Sequence, residues 1–271
     1  DAAMSRATGA GRDRCTLFDE EMREEATRTL DLEADLRRAI NSNAFEPHYQ
    51  PIVRMSDAAV VGHEALLRWR HEQRGLLAPG AFLDVGEESG LIEQVDWLMY
   101  ARVIADMARS DLHDYVAINV SPRHFRSPDF ADRLLDLLAT AGVEPARLRI
   151  EITEVALLDD APRISQTLNL LREHGVLAQL DDFGTGFSAL SYLHRFPIAA
   201  LKIDRSFIAD LNGDARAESV AVIRAIVALA GSLGIEIIAE GVETLAQRER
   251  LLELGCTYAQ GFLFGRPQPP A

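Results

Sequence analysis

The sequence predicts an α/β fold: a TIM-like (β/α)8 barrel in which one strand runs antiparallel to the others. From Phe45 onward, strand-like and helix-like segments alternate, and several strands are unbroken apolar runs such as Val116-Ala117-Ile118. Such runs are typical of strands that are buried on both faces of a parallel sheet. The length of 271 residues also matches a single barrel of this class.

Eight strands are predicted after the first 44 residues. They span residues 46–53, 60–68, 115–120, 147–152, 176–181, 199–203, 235–240 and 256–261. The first two strands are joined by only about six residues, Arg54 to Ala59, which is too short for a crossover between parallel strands. We therefore expect these two strands to run antiparallel to each other.

Helices between the strands have clear start and stop signals. Three of them run from a capping or proline residue to a glycine: Ser127-Pro128 to Gly142, Pro162 to Gly175 and Asp214 to Gly234. A further, highly charged helix is predicted over residues 19–44, with Asp19 as its cap. It is either a solvated linker helix or a coiled-coil partner, and its irregular heptads favour the linker.

Composition narrows the class of protein. Lys plus Arg is 28 and Asp plus Glu is 42, so the net charge of −14 argues against binding to duplex DNA or RNA. An anionic substrate is still compatible with this charge if metal ions mask the carboxylates around it. Cys15 and Cys256 cannot build a disulfide framework, which fits a reducing cytoplasm. The sequence begins at Asp1, so we expect a fragment whose parent chain could carry a membrane anchor elsewhere.

Polar side chains lie at nearly every predicted strand end, which is where barrel enzymes place their active sites. They are Glu64, Arg68, Asn119, Glu151, Asp181, Asp182, Lys202, Asp204, Glu240 and Gln260. The acids and the amide offer only oxygen ligands, which favour Mg²⁺ or Mn²⁺ over zinc. Asp181 and Asp182 could each serve one of two neighbouring ions, and Arg68 has a fork suited to phosphate. The pattern predicts metal-assisted hydrolysis of a phosphate ester.

Each of these residues also has a purely structural interpretation. The acids could be ion-pair partners, Asn119 could satisfy backbone groups, and Lys202 could be a buried counter-charge. Arg68 could pack against Trp69. Glu154 and Glu243, which follow strand ends, could brace loops rather than bind metal.

Several separated motifs resemble those of the EAL-domain cyclic di-GMP phosphodiesterases. In chain order they are Gln50-Pro51, Glu64-Ala65-Leu66 with Arg68, Ile118-Asn119-Val120-Ser121, Glu151-Ile152-Thr153-Glu154, Asp181-Asp182-Phe183-Gly184-Thr185-Gly186, Leu201-Lys202-Ile203-Asp204, Ala239-Glu240-Gly241-Val242-Glu243 and Gln260-Gly261-Phe262. The resemblance covers residues 45–271 and implies a barrel with one antiparallel strand. It also implies hydrolysis of cyclic di-GMP to linear pGpG with two Mg²⁺ or Mn²⁺ ions.

The resemblance assigns a role to each matching residue. Glu64, Asn119, Glu151 and Asp181 would bind one metal ion, and Asp181 with Asp182 would serve the second. The remaining roles are contact with the attacking water for Lys202, orientation of water or base catalysis for Glu240, support of that water or of Glu240 for Gln260, substrate binding for Gln50, Arg68 and Asp204, and loop support for Glu154 and Glu243.

A second, shorter resemblance concerns residues 1–22, which are similar to the closing segment of a GGDEF diguanylate cyclase domain. It implies a GGDEF domain upstream in the parent chain, with residues 23–44 as a linker helix before the EAL domain of residues 45–271. Apolar residues within 183–193 together with the EAL resemblance predict a homodimer through that segment. An effector that binds cyclic di-GMP without turnover, and a structural or interaction role, are the alternatives to an active enzyme.

Overall fold

The computed structural model describes residues 20–109, 114–154, 156–184, 193, 195–212 and 216–270. The predicted GGDEF remnant lies outside these residues except for its last three. The predicted dimer segment lies outside them except for Phe183, Gly184 and Leu193, and so does the predicted helix cap Asp214. Among the described residues, no helix is both long and apolar enough to cross a bilayer.

The chain divides into two compact units, and the first comprises residues up to Phe45 together with Arg68–Leu98. Helix α1 spans Glu20–Ser42, strand β3 spans Gly75–Leu77 and helix α2 spans Leu83–Glu88. Leu36 of α1 is fully buried, and the rings of Phe45, Trp69 and Phe82 form an aromatic cluster, with 5.3 Å between the ring centroids of Trp69 and Phe82. The predicted first helix is therefore present, and one of its faces belongs to a core.

The second unit, Glu46–Leu67 with the chain from Met99 onward, contains the barrel. The barrel strands are β1 (Phe45–Arg54), β2 (Val60–His71), β4 (Tyr115–Asn119), β5 (Leu148–Thr153), β6 (Leu177–Phe183), β7 (Ile198–Ile203), β8 (Glu236–Ala239) and β9 (Tyr258–Gln260). Their order is β1-β9-β8-β7-β6-β5-β4-β2, and pairing of β1 with β2 closes the barrel.

The predicted reversed strand is confirmed. β1 pairs antiparallel with β9, so that Ile52 lies opposite Gln260, whereas all the neighbouring pairs from β2 through β9 in the barrel are parallel. All eight predicted strands are present within a few residues of their expected bounds. β8 is shorter than expected, so Glu240 is the first residue after the strand.

More helices follow the strands than the sequence predicted. They are α3 (Ile92–Arg109), α4 (Phe130–Ala141), α5 (Ala156–Asp159), α6 (Ala161–Glu173), α7 (Arg205–Ala209), α8 (Arg216–Leu233) and α9 (Leu245–Glu253). The predicted α4, α6 and α8 are confirmed, and α4 ends at Gly142 in the left-handed conformation, with φ of 69°. α3 was missed, although Ile92, Val95, Met99 and Val103 form a buried stripe at helical spacing.

An apolar layer fills the barrel on the amino-end side of the polar strand ends. Ile52, Ala200 and Ile238 are buried there, and Tyr115 packs against them. Gly62 leaves the space for that ring, because a Cβ on it would lie 2.5 Å from the tyrosine ring. Since side chains two apart share one face of a strand, Lys202 and Glu240 lie directly above Ala200 and Ile238.

Gly261 leaves no room for a side chain. A Cβ on Gly261 would lie 2.2 Å from the backbone oxygen of Val242, which belongs to the segment after Glu240. We expect Gly261→Ala to destabilise the protein by about 1–3 kcal/mol through this overpacking. The measurement is the free energy of unfolding in urea.

Gly231→Ala is the matched control. Gly231 lies in α8, and a Cβ there meets no atom within 4 Å among the described residues. The same substitution should stabilise the protein by about 0.5–1 kcal/mol through helix propensity. Equal effects of the two substitutions would contradict the packing argument.

Candidate active site at the carboxyl ends of the barrel strands

The side chain of Lys202 lies at the centre of the polar strand ends. It is fully buried at the end of β7. Four carboxylates surround its ammonium, three from the different strands β2, β5 and β6 and the fourth from the residue that follows β8. The distances from Lys202 Nζ are 2.7 Å to Glu151 Oε2, 2.7 Å to Glu240 Oε1, 3.2 Å to Glu64 Oε2 and 3.5 Å to Asp181 Oδ1. The fold therefore brings together residues that are up to 176 positions apart in the sequence.

Amide side chains donate hydrogen bonds to both oxygens of Glu64. Asn119 Nδ2 donates a hydrogen bond of 2.9 Å to Glu64 Oε1, and Gln260 Nε2 donates one of 2.5 Å to Glu64 Oε2. Gln260 Nε2 also donates to Gln50 Oε1 at 3.0 Å, and Gln50 Nε2 donates to the backbone oxygen of Gly265. The other side-chain atom of Gln260, Oε1, is buried and accepts no hydrogen bond from a described residue.

Asp181 and Asp182 both reach the barrel mouth although they are consecutive in β6. In a regular strand their side chains would point to opposite faces. The register between β6 and β7 shifts between Leu180 and Phe183, and Asp182 has a φ of 53°, in the left-handed region that aspartate tolerates better than most residues. As a result, ligand oxygens of Asp181, Asp182 and Glu240 all lie within 4.8 Å of one another.

The cluster contains more negative charge than its one ammonium can balance. Burial raises the pKa of the Glu240 carboxyl to about 8, with the charges of Asp181 and Glu64 adding to the rise against the opposing effect of Lys202. Burial and the charge of Glu64 also hold the pKa of Glu151 well above its usual value. These carboxyls therefore favour either a proton or a cation beside them.

At Glu64 and Lys202, neighbouring groups outweigh the effect of burial on the pKa. Burial acts to raise the pKa of Glu64, but Lys202 and the hydrogen bonds from Gln260 and Asn119 bring it below its usual value. Burial acts to lower the pKa of Lys202, but Glu151 and the other carboxylates raise it well above its usual value. At neutral pH Lys202 is therefore a cation in the metal-free protein, and Glu64 is an anion.

The remaining predicted residues lie in different surroundings. Asp204 caps α7, where its Oδ1 accepts a hydrogen bond of 3.0 Å from the backbone nitrogen of Ser206, and its charge contributes to the raised pKa of Asp182 after burial and Asp181. Arg68 lies on β2 four residues after Glu64, within the first unit. Glu154 is buried directly after β5, and Glu243 is exposed. Glu154 and Glu243 are predicted to support the segment 183–192, and most of this segment lies outside the described residues.

Sequence reasoning missed two polar residues beside the cluster. Gln179 in β6 has no exposed surface, and Arg149 lies on β5 two residues before Glu151. The available signal was polarity within runs that otherwise consist of apolar residues, such as Val176-Leu177-Ala178-Gln179-Leu180. A buried polar side chain on the same strand face as Asp181 required a partner.

The donor set fits a hard divalent cation. Carboxylate and amide oxygens converge at the mouth, and the described part of the cluster offers neither a thiolate nor an imidazole. The partnerless Gln260 Oε1 adds a further oxygen that accepts no hydrogen bond from the described residues. The cluster is therefore an acidic site of the kind that binds a metal ion.

A family model for the EAL domain matches residues 33–267. The chain belongs to the EAL-domain family. The bifunctional diguanylate cyclase/cyclic di-GMP phosphodiesterase MucR of Pseudomonas aeruginosa is 41% identical over 275 residues, which cover 99% of this chain and 40% of MucR. The cyclic di-GMP phosphodiesterase NbdA of the same organism is 38% identical over 99% of this chain and 35% of its own length. The chain thus spans less than half the length of these curated relatives.

The solved structures agree with this assignment. The structure of the PaMucR phosphodiesterase in complex with c-di-GMP has a TM-score of 0.83 to this chain and 41% sequence identity, and the match covers 88% of this chain and 98% of that one. An EAL-domain protein from Listeria monocytogenes EGD-e has a TM-score of 0.78 and 31% identity, covering 87% of this chain and 93% of that one. The modified barrel predicted from the sequence is therefore the fold of this family.

Metal affinity should depend steeply on pH. Because the pKa of Glu240 is raised to about 8, its carboxyl holds a proton at neutral pH in the metal-free chain, and a cation bound by the neighbouring Asp181 and Asp182 would favour loss of this proton. Raising the pH removes this proton, so we expect the affinity for Mn²⁺ to rise about tenfold per pH unit between pH 6 and 8 for each proton released. Calorimetric titration with MnCl₂ at several pH values measures this. An affinity that stays flat over this range would contradict the electrostatic analysis.

Proposed function

We propose that this chain is a metal-dependent phosphodiesterase that hydrolyses cyclic di-GMP to linear pGpG. The observation that carries the proposal is the convergence of Glu64, Glu151, Asp181 and Glu240 on Lys202 at the barrel mouth. Membership of the EAL-domain family and the names of MucR and NbdA support the substrate. The net charge of −14 agrees with a substrate that is recognised through metal ions rather than through a basic surface.

The proposed cofactors are two Mg²⁺ or Mn²⁺ ions, which suit a site built only from oxygen ligands. Glu64, Asn119, Glu151 and Asp181 would hold the first ion, and Asp181 together with Asp182 would hold the second. When bound, such ions stabilise the negative charge that develops on the phosphate and make the attacking water more acidic.

The side chains around the ions would orient the attacking water and accept its proton. Lys202 would orient the attacking water by hydrogen bonding and would keep its charge throughout. Glu240, whose pKa is about 8 in the metal-free chain, is suited to accept the proton of that water. The water oxygen forms a bond to phosphorus, the bond from phosphorus to one ribose 3′ oxygen breaks, and this oxygen takes up a proton. The product is a linear dinucleotide with a 5′ phosphate.

The finer predictions stay within this proposal. Gln260 would support the water or Glu240, and Gln50, Arg68 and Asp204 would contact the substrate. Glu154 and Glu243 would support the loop after Asp182. The homodimer through residues 183–193, the upstream GGDEF domain and the division at residues 22 and 44 remain predictions. The buried thiol of Cys256 is compatible with the predicted cytoplasmic location.

The direct test is incubation of the 271-residue chain with cyclic di-GMP and MgCl₂ or MnCl₂, followed by chromatography for pGpG. We expect pGpG to form with the metal and no product to form in EDTA. Binding of cyclic di-GMP without any pGpG would contradict the proposal and would favour an effector. Absence of both binding and product would favour a structural role.

Removal of single carboxylates should abolish this activity. Glu64→Ala and Asp181→Ala each remove a proposed metal ligand, so we expect turnover to fall by at least about 100-fold in the same assay. Glu253→Ala is the control, because Glu253 is an exposed acid on α9 that pairs with Arg250. Its turnover should stay within about twofold of wild type. Near-normal turnover of the Glu64 and Asp181 variants at saturating metal would contradict the ligand assignment.

A further inference from the structure

Gln179 is a buried amide in a layer of the barrel that such folds usually fill with branched apolar side chains. Its side chain has no exposed surface, and in the β5–β6 pairing it lies directly beside Glu151. Burial of an amide without hydrogen bonds costs free energy of folding, so the hydrogen-bond partners of Gln179 indicate its role.

Both ends of the Gln179 amide have a partner in one of its two orientations. With its nitrogen toward Glu151, it donates a hydrogen bond of 3.1 Å to Glu151 Oε1, and its oxygen accepts one of 2.9 Å from Arg149 NH1. In the opposite orientation the oxygen would face only acceptors and the nitrogen only donors. The hydrogen-bond network therefore assigns the orientation.

Arg149 is itself held on two further sides. Its guanidinium lies over the ring of Tyr115, 3.7 Å from the ring centroid, and its NH1 lies 3.2 Å from Glu236 Oε2. Tyr115 in turn packs against the apolar layer of the barrel. The amide of Gln179 is thus anchored to a cation that cannot shift freely.

The consequence concerns how Glu151 presents its two oxygens. Gln179 binds Oε1, whereas Oε2 faces Lys202 at 2.7 Å. Gln179 thus fixes Oε1, and Oε2 points into the cluster where the proposed metal would bind. Without Gln179, the carboxylate could rotate, and its Oε1 would be buried without this hydrogen bond.

We infer that Gln179 is a positioning residue for metal binding, which fixes Glu151 in its ligand orientation and is itself fixed by Arg149. This inference rests on the proposed function, because it assumes that Glu151 is a metal ligand. Loss of a hydrogen-bond partner of a metal ligand typically weakens metal affinity by about 10- to 100-fold. The same loss in a merely structural residue lowers stability and leaves metal affinity unchanged.

The test is calorimetric titration of the 271-residue chain with MnCl₂ alone. Gln179→Leu keeps the approximate volume and removes both hydrogen bonds, and we expect it to bind Mn²⁺ about 10- to 100-fold more weakly. At saturating Mn²⁺, its KM for cyclic di-GMP should stay within about twofold of wild type, since substrate contacts are unchanged.

Leu168→Ala separates positioning from stability. Leu168 is buried on α6, which packs against the strand that carries Gln179. This substitution should lower the melting temperature through a cavity but leave Mn²⁺ affinity within about twofold of wild type. Equal loss of metal affinity in Leu168→Ala and Gln179→Leu would overturn the inference, as would wild-type affinity in Gln179→Leu.

If Gln179→Leu does not fold, Arg149→Lys tests the positioning role of Gln179 instead. Lysine keeps the charge but cannot both cover Tyr115 and present a planar fork to the amide oxygen. We expect Mn²⁺ affinity to fall by about threefold to tenfold, and wild-type affinity would overturn the inference. If wild type itself binds no Mn²⁺ and forms no pGpG, it is the proposed function that fails.

Discussion

The buried ammonium of Lys202 is the constraint on which the rest of the site depends. A charge with no exposed surface is tolerated only where opposite charges and hydrogen bonds replace water. Here four carboxylates do so, and each comes from a different strand or from the residue directly after it. A closed barrel of parallel strands is one of the few architectures that can direct so many strand ends toward one point. Fold and site are therefore two consequences of the same arrangement.

The excess of carboxylates over cations explains why the site suits divalent metals. Lys202 balances only one negative charge. Burial raises the pKa of Glu151 and Glu240, so these carboxyls favour a bound proton or a neighbouring cation. The reversed strand contributes to this site in a particular way. β1 runs against its neighbours, and a residue from the middle of β1, Gln50, reaches the mouth and hydrogen-bonds Gln260. That hydrogen bond links the closing strand pair to Glu64.

The sequence was sufficient for the strands, for the reversed first strand and for the residues that gather at the mouth. Strand ends are local features, and a short connection between strands excludes a parallel crossover from chain geometry alone. The sequence could not show that Asp181 and Asp182 both face the mouth, because this depends on a register shift and a positive φ. The sequence analysis missed Gln179 and Arg149 for a related reason. Their partners lie across strands, so a polar residue in an apolar run showed that a partner existed but not which one.

Substitution of Lys202 tests the central claim most directly, because the account gives this residue a role in the reaction rather than in docking. Lys202→Met keeps the length of the side chain and removes its charge. The account predicts that kcat at saturating Mn²⁺ falls by at least about 100-fold, while the affinity for cyclic di-GMP changes by no more than about threefold. Unchanged kcat, or a loss of binding with kcat preserved at saturation, would contradict it.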